Sequence, residues 1–301
     1  MRRTIPVPDV YLAHELPPGV ARDRLEKHTW ERATRGAYVA ADRSARALVV
    51  ARATGVHHRL GAPHAFSHGT AAVLHGLSVW RTPTTTHVRH VHRTSTSAAA
   101  DVTRHHGFPP HSEIVDIVGL PVTDLVTSVW DCLTTLPALH ALVVTDSALH
   151  AGLSRDRLEA VAATATGRGS RRGRLVLSLA DDGAESPRES WTRFAFLAAG
   201  WPPPQTQVRV ETRLGVFWAD LGWPQWRVLV EYDGVAKYDE HGRALLAEKH
   251  RHTAISESGW RSVHVTKDDT PASILARVAA LVPASELVGV RPRHTLVLAA
   301  R

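Results

Sequence analysis

The sequence predicts a mixed α/β protein of the α+β type, because its hydrophobic periodicity changes along the chain. Small helices followed by a strand hairpin predict a winged-helix-like region over residues 1–60. Strands followed by helices predict a mixed α/β region over residues 61–165. From Ser186 onward the order is helix, three strands, helix, strand, which predicts an αβββαβ core over 185–267 within a third region, 166–301.

Breakers and short periodic segments define the first region. The run Pro17-Pro18-Gly19 interrupts the chain, and residues 22–32 are compatible with a helix. The segment 35–39 reads as a short strand that is entered through the Gly36 turn. An Ala- and Arg-rich helix is predicted over 45–55.

Capping residues and period-two alternation organise the middle region. Ser67 is a plausible N-cap for an apolar helix at 71–75, and Gly76 is its stop signal. Alternation predicts strands at 87–91 and 114–118. Thr123 and Asp124 begin a helix that runs toward 135. Further helices are expected over three ranges, 136–149, 155–163 and 175–180.

Strong start and stop signals delimit the elements of the third region. Ser186 is a good N-cap, Pro187 suits the first helical position, and Gly200 ends the helix. Strands separated by short turns are predicted at 208–211, 216–221 and 227–233, which indicates an antiparallel meander. The remaining elements are a polar helix at 240–258, a strand at 260–265 and a final helix that starts at 268–271.

Composition favours a polyanionic partner and argues against a membrane. The formal net charge is +7 and the isoelectric point about 10.1, although an Arg-rich, Lys-poor sequence also reflects a GC-rich genome. No apolar run approaches the roughly 20 residues that span a bilayer. The N-terminus lacks the apolar stretch of a signal peptide. Cys132 is the only cysteine, so no internal disulfide is expected and a reducing cytoplasm fits best.

Carboxylates at the ends of neighbouring strands are the most informative chemical feature. Asp220 lies on the second predicted strand, and Glu231 and Asp233 share one face of the third. Carboxylates held close together repel one another, and a divalent cation relieves that repulsion. Oxygen ligands favour Mg²⁺ or Mn²⁺ over zinc. The alternative is that Asp220 caps a turn and that Glu231 and Asp233 form a solvated strand face.

These motifs resemble the PD-(D/E)xK nuclease superfamily, and more narrowly the domains related to very-short-patch-repair endonucleases. The resemblance covers about 85 residues and rests on the following segments: Glu185-Ser-Pro-Arg-Glu189-Ser, Pro204-Gln205-x-Gln207, Asp220-x-x-Trp223-Pro224, Val230-Glu231-Tyr232-Asp233-Gly234 and Gly259-Trp260-Arg261-x-Val263. It implies a restriction-endonuclease-like core in which Asp220 and Glu231 bind the metal ion and Glu189 is the acidic residue of the first helix.

The resemblance also implies which basic residues act. Lys249 and Arg251 would face the phosphate backbone, and Arg193 on the first helix is a further nucleic-acid-binding candidate. Asp233 stands where the superfamily usually carries its catalytic lysine. Lys237, just downstream, is therefore the candidate to supply that positive charge.

The first 170 residues resemble the winged-helix and following region of abortive-infection (AbiEi-type) antitoxin proteins, more loosely. The matching segments are Thr34-Arg35-Gly36-Ala37-Tyr38-Val39, Ser67-His68-x-x-Ala71-Ala72-x-Leu74-His75-Gly76-Leu77 and Leu120-Pro121-Val122-Thr123-Asp124. This resemblance implies DNA binding or regulation.

Two functions follow as hypotheses. One is a Mg²⁺-dependent endonuclease that hydrolyses phosphodiester bonds in DNA, or alternatively in RNA; the other is a non-catalytic DNA-binding regulator of the antitoxin type with a degenerate nuclease fold. A homodimer is compatible with both. A zinc site is not expected, because the 20 histidines lack helix-ligand spacing except for His64 and His68, which straddle the predicted cap.

Overall fold

A computed structural model describes residues 5, 7–91, 100–233 and 242–297. The fold is a mixture of α-helices and β-sheets, which confirms the predicted α+β class. The chain divides into two compact units: unit 1 comprises residues 1–136 and 151–177, and unit 2 comprises 137–150 and 178–301. This division differs from the three regions predicted from sequence, since the helix at 138–150 belongs to unit 2.

The described part of unit 1 contains eight strands, and most of its helices lie in the first half of the chain. Its elements are β1 (Tyr11–Leu12), α1 (Val20–Glu26), β2 (Trp30–Thr34), β3 (Ala37–Ala40), α2 (Ala45–Arg59), β4 (His64–Phe66), α3 (His68–Leu74), β5 (Thr86–His90), β6 (Val102–His106), β7 (Ile114–Ile117), β8 (Leu120–Thr123) and α4 (Leu125–Thr135). Two sheets form, with strand orders β1-β3-β2 and β6-β5-β4-β8-β7.

The β2–β3 hairpin is where the observed elements depart most from the sequence-based prediction. The helix expected over 22–32 ends at Glu26, and Trp30 already pairs with Ala40 across the hairpin. Gly36, with φ +77°, forms the turn that was predicted. The winged-helix assignment of this region stays a prediction.

Helix α2 lies close against this hairpin because of a glycine. A Cβ atom at Gly55 would stand 2.4 Å from the Ala37 Cβ and 2.6 Å from the Thr34 Cγ2. Only glycine permits that approach. On the five-stranded sheet, α2 and α3 contribute Val50, Val56 and Leu74 to a core shared with Phe66 and Val122.

The next elements along the chain belong alternately to unit 2 and unit 1. The elements concerned are α5 (Ala138–His150) of unit 2, α6 (Arg155–Thr164) of unit 1, and α7 (Ser170–Leu179), within which unit 1 ends at Leu177. Unit 2 continues with α8 (Pro187–Ala199), β9 (Gln205–Thr212), β10 (Gly215–Trp223), β11 (Val228–Tyr232), α9 (Gly242–Glu257), β12 (Arg261–Val265), α10 (Pro271–Ala279) and α11 (His294–Val297). Short 3₁₀ helices occupy Pro224–Trp226 and Ala284–Leu287.

The predicted order of helix, three strands, helix and strand is present in unit 2. The sheet order is β12-β11-β10-β9; β9, β10 and β11 form an antiparallel meander, and β12 pairs in parallel with β11. A parallel neighbour needs a crossover, and α9 lies in the connection between β11 and β12.

Each face of this sheet packs against a different set of helices. Val228 and Val230 of β11 share a core cluster with Phe196 of α8 and Ile274 of α10. Leu229, which points the other way, clusters with Ile255 of α9. The buried side chains of these two clusters hold in place the strands that carry the acidic residues.

A buried ion pair joins α5 and α8 within unit 2. The Asp146 carboxylate is fully buried and accepts hydrogen bonds from Nη2 of Arg193 at 2.7 Å to both oxygens. The Ser190 hydroxyl and the Asp181 N–H donate to the same carboxylate at 2.8 and 2.9 Å. These partners offset the cost of removing both charges from water.

Within the described ranges, none of the helices combines the length and apolar character that a bilayer crossing requires.

The Asp146–Arg193 pair should dominate the stability of unit 2. Arg193→Met is expected to lower the free energy of unfolding by roughly 3–5 kcal/mol, because it leaves the Asp146 charge buried and unpaired. Arg209→Met, which removes an exposed partner of Glu211, should cost less than about 1 kcal/mol. Urea unfolding of the two variants measures the difference, and equal losses would contradict the role given to the buried pair.

Candidate functional site

Glu189 is held at the start of α8 by a capping arrangement. Its backbone N–H donates to the Ser186 Oγ at 3.2 Å, and its own Oε2 accepts the Glu185 N–H at 2.8 Å. The first bond is the one expected of a serine N-cap followed three residues later by a glutamate, whereas the second reaches Glu185, one residue before the N-cap. The two bonds leave the Glu189 side chain almost buried at the N-terminal end of the helix.

Asp220 lies on β10 at a distorted point of the sheet. Ala219 and Leu221 pack in different core clusters, although residues two apart on a regular strand share a face. The pairing register on both sides places Asp220 opposite Gln207, whose φ is +47°. A non-glycine residue in this region marks local backbone strain.

The carboxylate of Asp220 connects β10 to the end of β11. Its Oδ2 accepts the Tyr232 N–H at 2.7 Å. The neighbouring residue Glu231 is 6% exposed and follows Leu229 on the face that packs against α9. Asp220 lies inside β10, and the register Leu221↔Val230 places it beside Glu231, where the pairing of β10 with β11 ends.

The two oxygens of Glu231 have different surroundings. Oε2 accepts a hydrogen bond from the Arg251 Nη2 at 2.5 Å. Oε1 is buried and has no hydrogen-bond partner among the residues that the structure describes. An unpaired buried carboxylate oxygen is costly, so this atom is positioned to accept a further ligand.

The acidic residues influence one another electrostatically. Burial raises the pKa of Asp220, and the charge of Glu231 raises it further, against the lowering effect of the Tyr232 N–H. Burial also raises the pKa of Glu189, to which the nearby Asp220 contributes. Glu189, Asp220 and Glu231, with Arg251, are called the acidic site below.

Arg251 is the basic residue of the acidic site. It extends from α9 to Glu231 and also donates to Glu248 at 2.8 Å. Burial alone would lower the pKa of Arg251, but Glu231 and Glu248 raise it. The guanidinium lies 5.7 Å from the centre of the Phe217 ring. Its positive charge is thus fixed beside the carboxylates. The sequence had predicted only that Arg251 lies on a helix that faces the phosphate backbone.

The other residues predicted for the site lie elsewhere or outside the described ranges. Asp233 is exposed and pairs with His264 at 3.2 Å. Arg193 is 2% exposed and its guanidinium bonds Asp146 and the Leu179 carbonyl, so these donors serve the interior of unit 2 rather than a nucleic acid. Lys249 is exposed on α9. Lys237 lies outside the described residues.

The donor set of the acidic site suits a hard cation. The donor atoms of its acidic residues are all carboxylate oxygens, and Glu231 Oε1 has no hydrogen-bond partner among the residues that the structure describes. The three acids nevertheless do not bring three ligand atoms within 4.8 Å of one another. Among the described residues, the group that meets this distance is His68, His87 and His105. Mg²⁺ or Mn²⁺ would have to be bound through one or two carboxylates together with water, as is usual for Mg²⁺.

The sequence-based reasoning missed that histidine cluster. His68 and His87 are 19 residues apart, and His87 and His105 are 18 apart, by their positions in the chain. Neither separation matches the local spacings by which zinc sites are recognised. No local spacing in the sequence therefore indicated the cluster.

Comparisons with known proteins give relatives without an assigned activity. No family model matches the chain. Two Mycobacterium tuberculosis proteins, named Uncharacterized protein MT2308 (strain CDC 1551 / Oshkosh) and Uncharacterized protein Rv2248 (strain ATCC 25618 / H37Rv), are each 30% identical over 156 residues. The match covers 50% of this chain and 57% of each relative. The chain therefore matches little more than half the length of these relatives.

A solved structure also matches part of the chain. The crystal structure of RV2827C protein from Mycobacterium tuberculosis covers 62% of this chain and 74% of its own, with a TM-score of 0.36 and 16% sequence identity.

The raised pKa of Asp220 predicts a pH-dependent effect of Asp220→Asn on stability. The protonated form of Asp220 is favoured in the folded state, because its pKa is raised there. Asp220 therefore contributes to the free energy of unfolding fully below its ordinary pKa of 3.8, and this contribution is lost as the pH rises through the raised pKa. Asn cannot ionise, so the variant avoids this loss of stability, and its side-chain oxygen can still accept the hydrogen bond from the Tyr232 N–H. We expect a gain of roughly 0.5–1 kcal/mol at pH 7, after allowing for solvent screening, and little gain at pH 3.5.

Thermal unfolding at both pH values measures this effect. Glu211→Gln, at an exposed acid of β9, is the matched control and should change stability little at either pH. A gain for Asp220→Asn that is equal at pH 3.5 and pH 7 would argue against electrostatic strain at Asp220.

Proposed function

We propose that unit 2 is a divalent-metal-dependent endonuclease-like domain that hydrolyses phosphodiester bonds in DNA. The observation that carries this proposal is the acidic site: Glu189, Asp220 and Glu231 interact at one end of the sheet, and one buried oxygen of Glu231 lacks a partner among the described residues. Raised pKa values, as at Glu189 and Asp220, and a buried carboxylate oxygen without a partner among the described residues are typical of a functional site.

The order of elements supports the same proposal. Unit 2 contains a helix with an acidic first turn, an antiparallel meander, a crossover helix and a parallel fourth strand. This αβββαβ order is the core expected for the PD-(D/E)xK superfamily that the sequence resembles. Fold alone does not assign an activity, so the argument rests on the residues of the acidic site.

Asp220 and Glu231 are the residues that would hold Mg²⁺ or Mn²⁺. When bound, such an ion supplies Lewis-acid activation of the phosphoryl group and of an attacking water. Glu189 adds negative charge beside Asp220 and so increases the attraction for a cation. The Asp220 carboxylate is oriented for this role by the Tyr232 N–H.

Arg251 would replace the lysine that is absent at position 233. A fixed guanidinium next to the carboxylates can bind the phosphate and stabilise the charge that develops on it. Asp233 cannot do so, because it is an exposed carboxylate paired with His264. The exposed Lys249 on the same helix would add attraction for the DNA backbone.

A second function is favoured by the ion pair between Arg251 and Glu231. At 2.5 Å, this contact already neutralises one of the two ligand carboxylates without a metal ion. Together with Asp233 at the usual lysine position, it fits a domain that binds DNA without cutting it. Such a protein would be a regulator of the antitoxin type, which the N-terminal sequence resembles.

A plasmid-cleavage assay tests the nuclease proposal directly. The full chain with Mg²⁺ or Mn²⁺ should nick or cut DNA, and Asp220→Asn should reduce the rate by more than the roughly 10- to 100-fold that loss of an outer-shell partner costs. Glu211→Gln should cut like the wild type. Cleavage by Asp220→Asn at the wild-type rate would sink the assignment.

The role of Arg251 makes a separate prediction. Arg251→Ala should bind Mn²⁺ more tightly, because it removes the cation that competes for Glu231, yet cut roughly 100-fold more slowly, because phosphate stabilisation is lost. Arg251→Lys should recover part of the rate. Calorimetric titration with Mn²⁺ and single-turnover cleavage measure the two effects, and a fall in metal affinity in Arg251→Ala would contradict this assignment.

DNA binding in EDTA separates the nuclease from the regulator. Sequence-specific binding in fluorescence anisotropy, with no cleavage at any concentration of Mg²⁺ or Mn²⁺, would favour the regulator.

A further inference from the structure

Three histidines from separate elements of unit 1 come together. His68 is the first residue of α3, His87 lies on β5 and His105 on β6. One ring nitrogen of each lies within 4.8 Å of the corresponding nitrogens of the other two. His68 is 3% exposed, and His87 and His105 are partly buried.

The parallel pairing of β5 and β6 places two of these imidazoles side by side. His87 pairs with Thr103 and Arg89 with His105, so the two histidines occupy neighbouring rows of the sheet. The His87 Nδ1 and the His105 Nε2 are 3.0 Å apart. Two nitrogens bound to one tetrahedral Zn²⁺ at about 2.0–2.1 Å are separated by roughly 3.3 Å, which is close to this distance.

His68 reaches the cluster through an unusual backbone conformation. Its φ is +55°, in the left-handed region that residues other than glycine seldom adopt. Its ring stacks on that of His105, with the centroids 3.6 Å apart and 14° between the ring planes, so one of the two rings would turn when both bind a single metal ion. Such strain at a buried polar residue is typical of sites where the side-chain position matters.

Outer-shell partners orient His68 as metal-binding histidines are usually oriented. The His68 Nδ1 lies 2.9 Å from the Ser67 Oγ and 3.4 Å from the Asp131 Oδ2. Asp131 is itself held by the Arg89 guanidinium. With Nδ1 engaged by a hydroxyl and a carboxylate, Nε2 is the nitrogen left for a metal ion.

We propose that His68, His87 and His105 form a binding site for a divalent transition metal of the zinc class, with Asp131 as the outer-shell carboxylate. Three imidazole nitrogens without a thiolate suit Zn²⁺ and exclude the hard cations that the acidic site would bind. Three protein ligands leave a fourth coordination position for water or for another small ligand.

The other arrangement that these distances allow is a metal-free chain of hydrogen-bonded histidines, which the experiment below distinguishes.

Metal content of the full chain tests the proposal. After dialysis against metal-free buffer, the protein should retain about one Zn²⁺ per chain, and addition of Zn²⁺ to EDTA-stripped protein should raise Tm by on the order of 5 °C. His87→Gln and His105→Gln should each lose the bound zinc and the shift in Tm. Cobalt substitution should give visible absorption bands in the wild type but not in these two variants.

Two control variants address the high histidine content of the chain. His106→Gln changes an exposed histidine beside His105, and His64→Gln changes a buried histidine that contacts His57 at 3.1 Å. Both should keep the zinc. Far-UV circular dichroism of stripped protein shows whether each variant folds.

Two results would overturn the site: wild-type protein that neither retains zinc nor shifts in Tm, or folded His87→Gln and His105→Gln variants that bind zinc as the wild type does. The first result is the one expected of a metal-free histidine chain. Neither bears on the acidic site, because its residues are all in unit 2.

Discussion

Asp146 and Arg193 share a fully buried ion pair, and the need to pair buried charge explains much of unit 2. The Asp146 carboxylate receives four hydrogen bonds from the surrounding chain, so its charge is satisfied internally and α5 is fixed against α8. Glu231 is buried to nearly the same extent, yet one of its oxygens has no partner in the described residues. The same physical rule that makes Asp146 structural makes Glu231 a candidate ligand.

Local signals in the sequence were sufficient for the elements that carry the acidic site. Ser186, Pro187 and Gly200 delimit α8 as predicted, and the turns between the strands of the meander fall where glycine and proline indicated. These signals act over a few residues, so they can be read without knowledge of the tertiary fold. The convergence of Asp220 and Glu231 followed from pairing two adjacent strands.

Long-range partners could not be read in the same way. Arg193 falls on a helix face with acidic and basic neighbours, and nothing in its local sequence identifies Asp146, 47 residues earlier, as its partner. Arg251 was expected to face phosphate, but its contact with Glu231 depends on how α9 packs on the sheet. The histidine cluster depends on three elements of unit 1, so helix-ligand spacing gave no indication of it. In each case tertiary packing, rather than local preference, selects the partner.

The two clusters differ in the property that selects a metal ion. The acidic site offers carboxylate oxygens and a competing guanidinium, which favours a weakly held, hydrated Mg²⁺ that exchanges readily. The histidine cluster offers imidazole nitrogens backed by an outer-shell carboxylate, which favours a tightly held zinc-class ion. Because the donor atoms differ, Mg²⁺ would not displace zinc from the histidines. Any effect of zinc on DNA binding or cleavage would therefore have to come from unit 1, or from zinc competing at the carboxylates, and loss of the effect in His105→Gln would identify unit 1 as its origin.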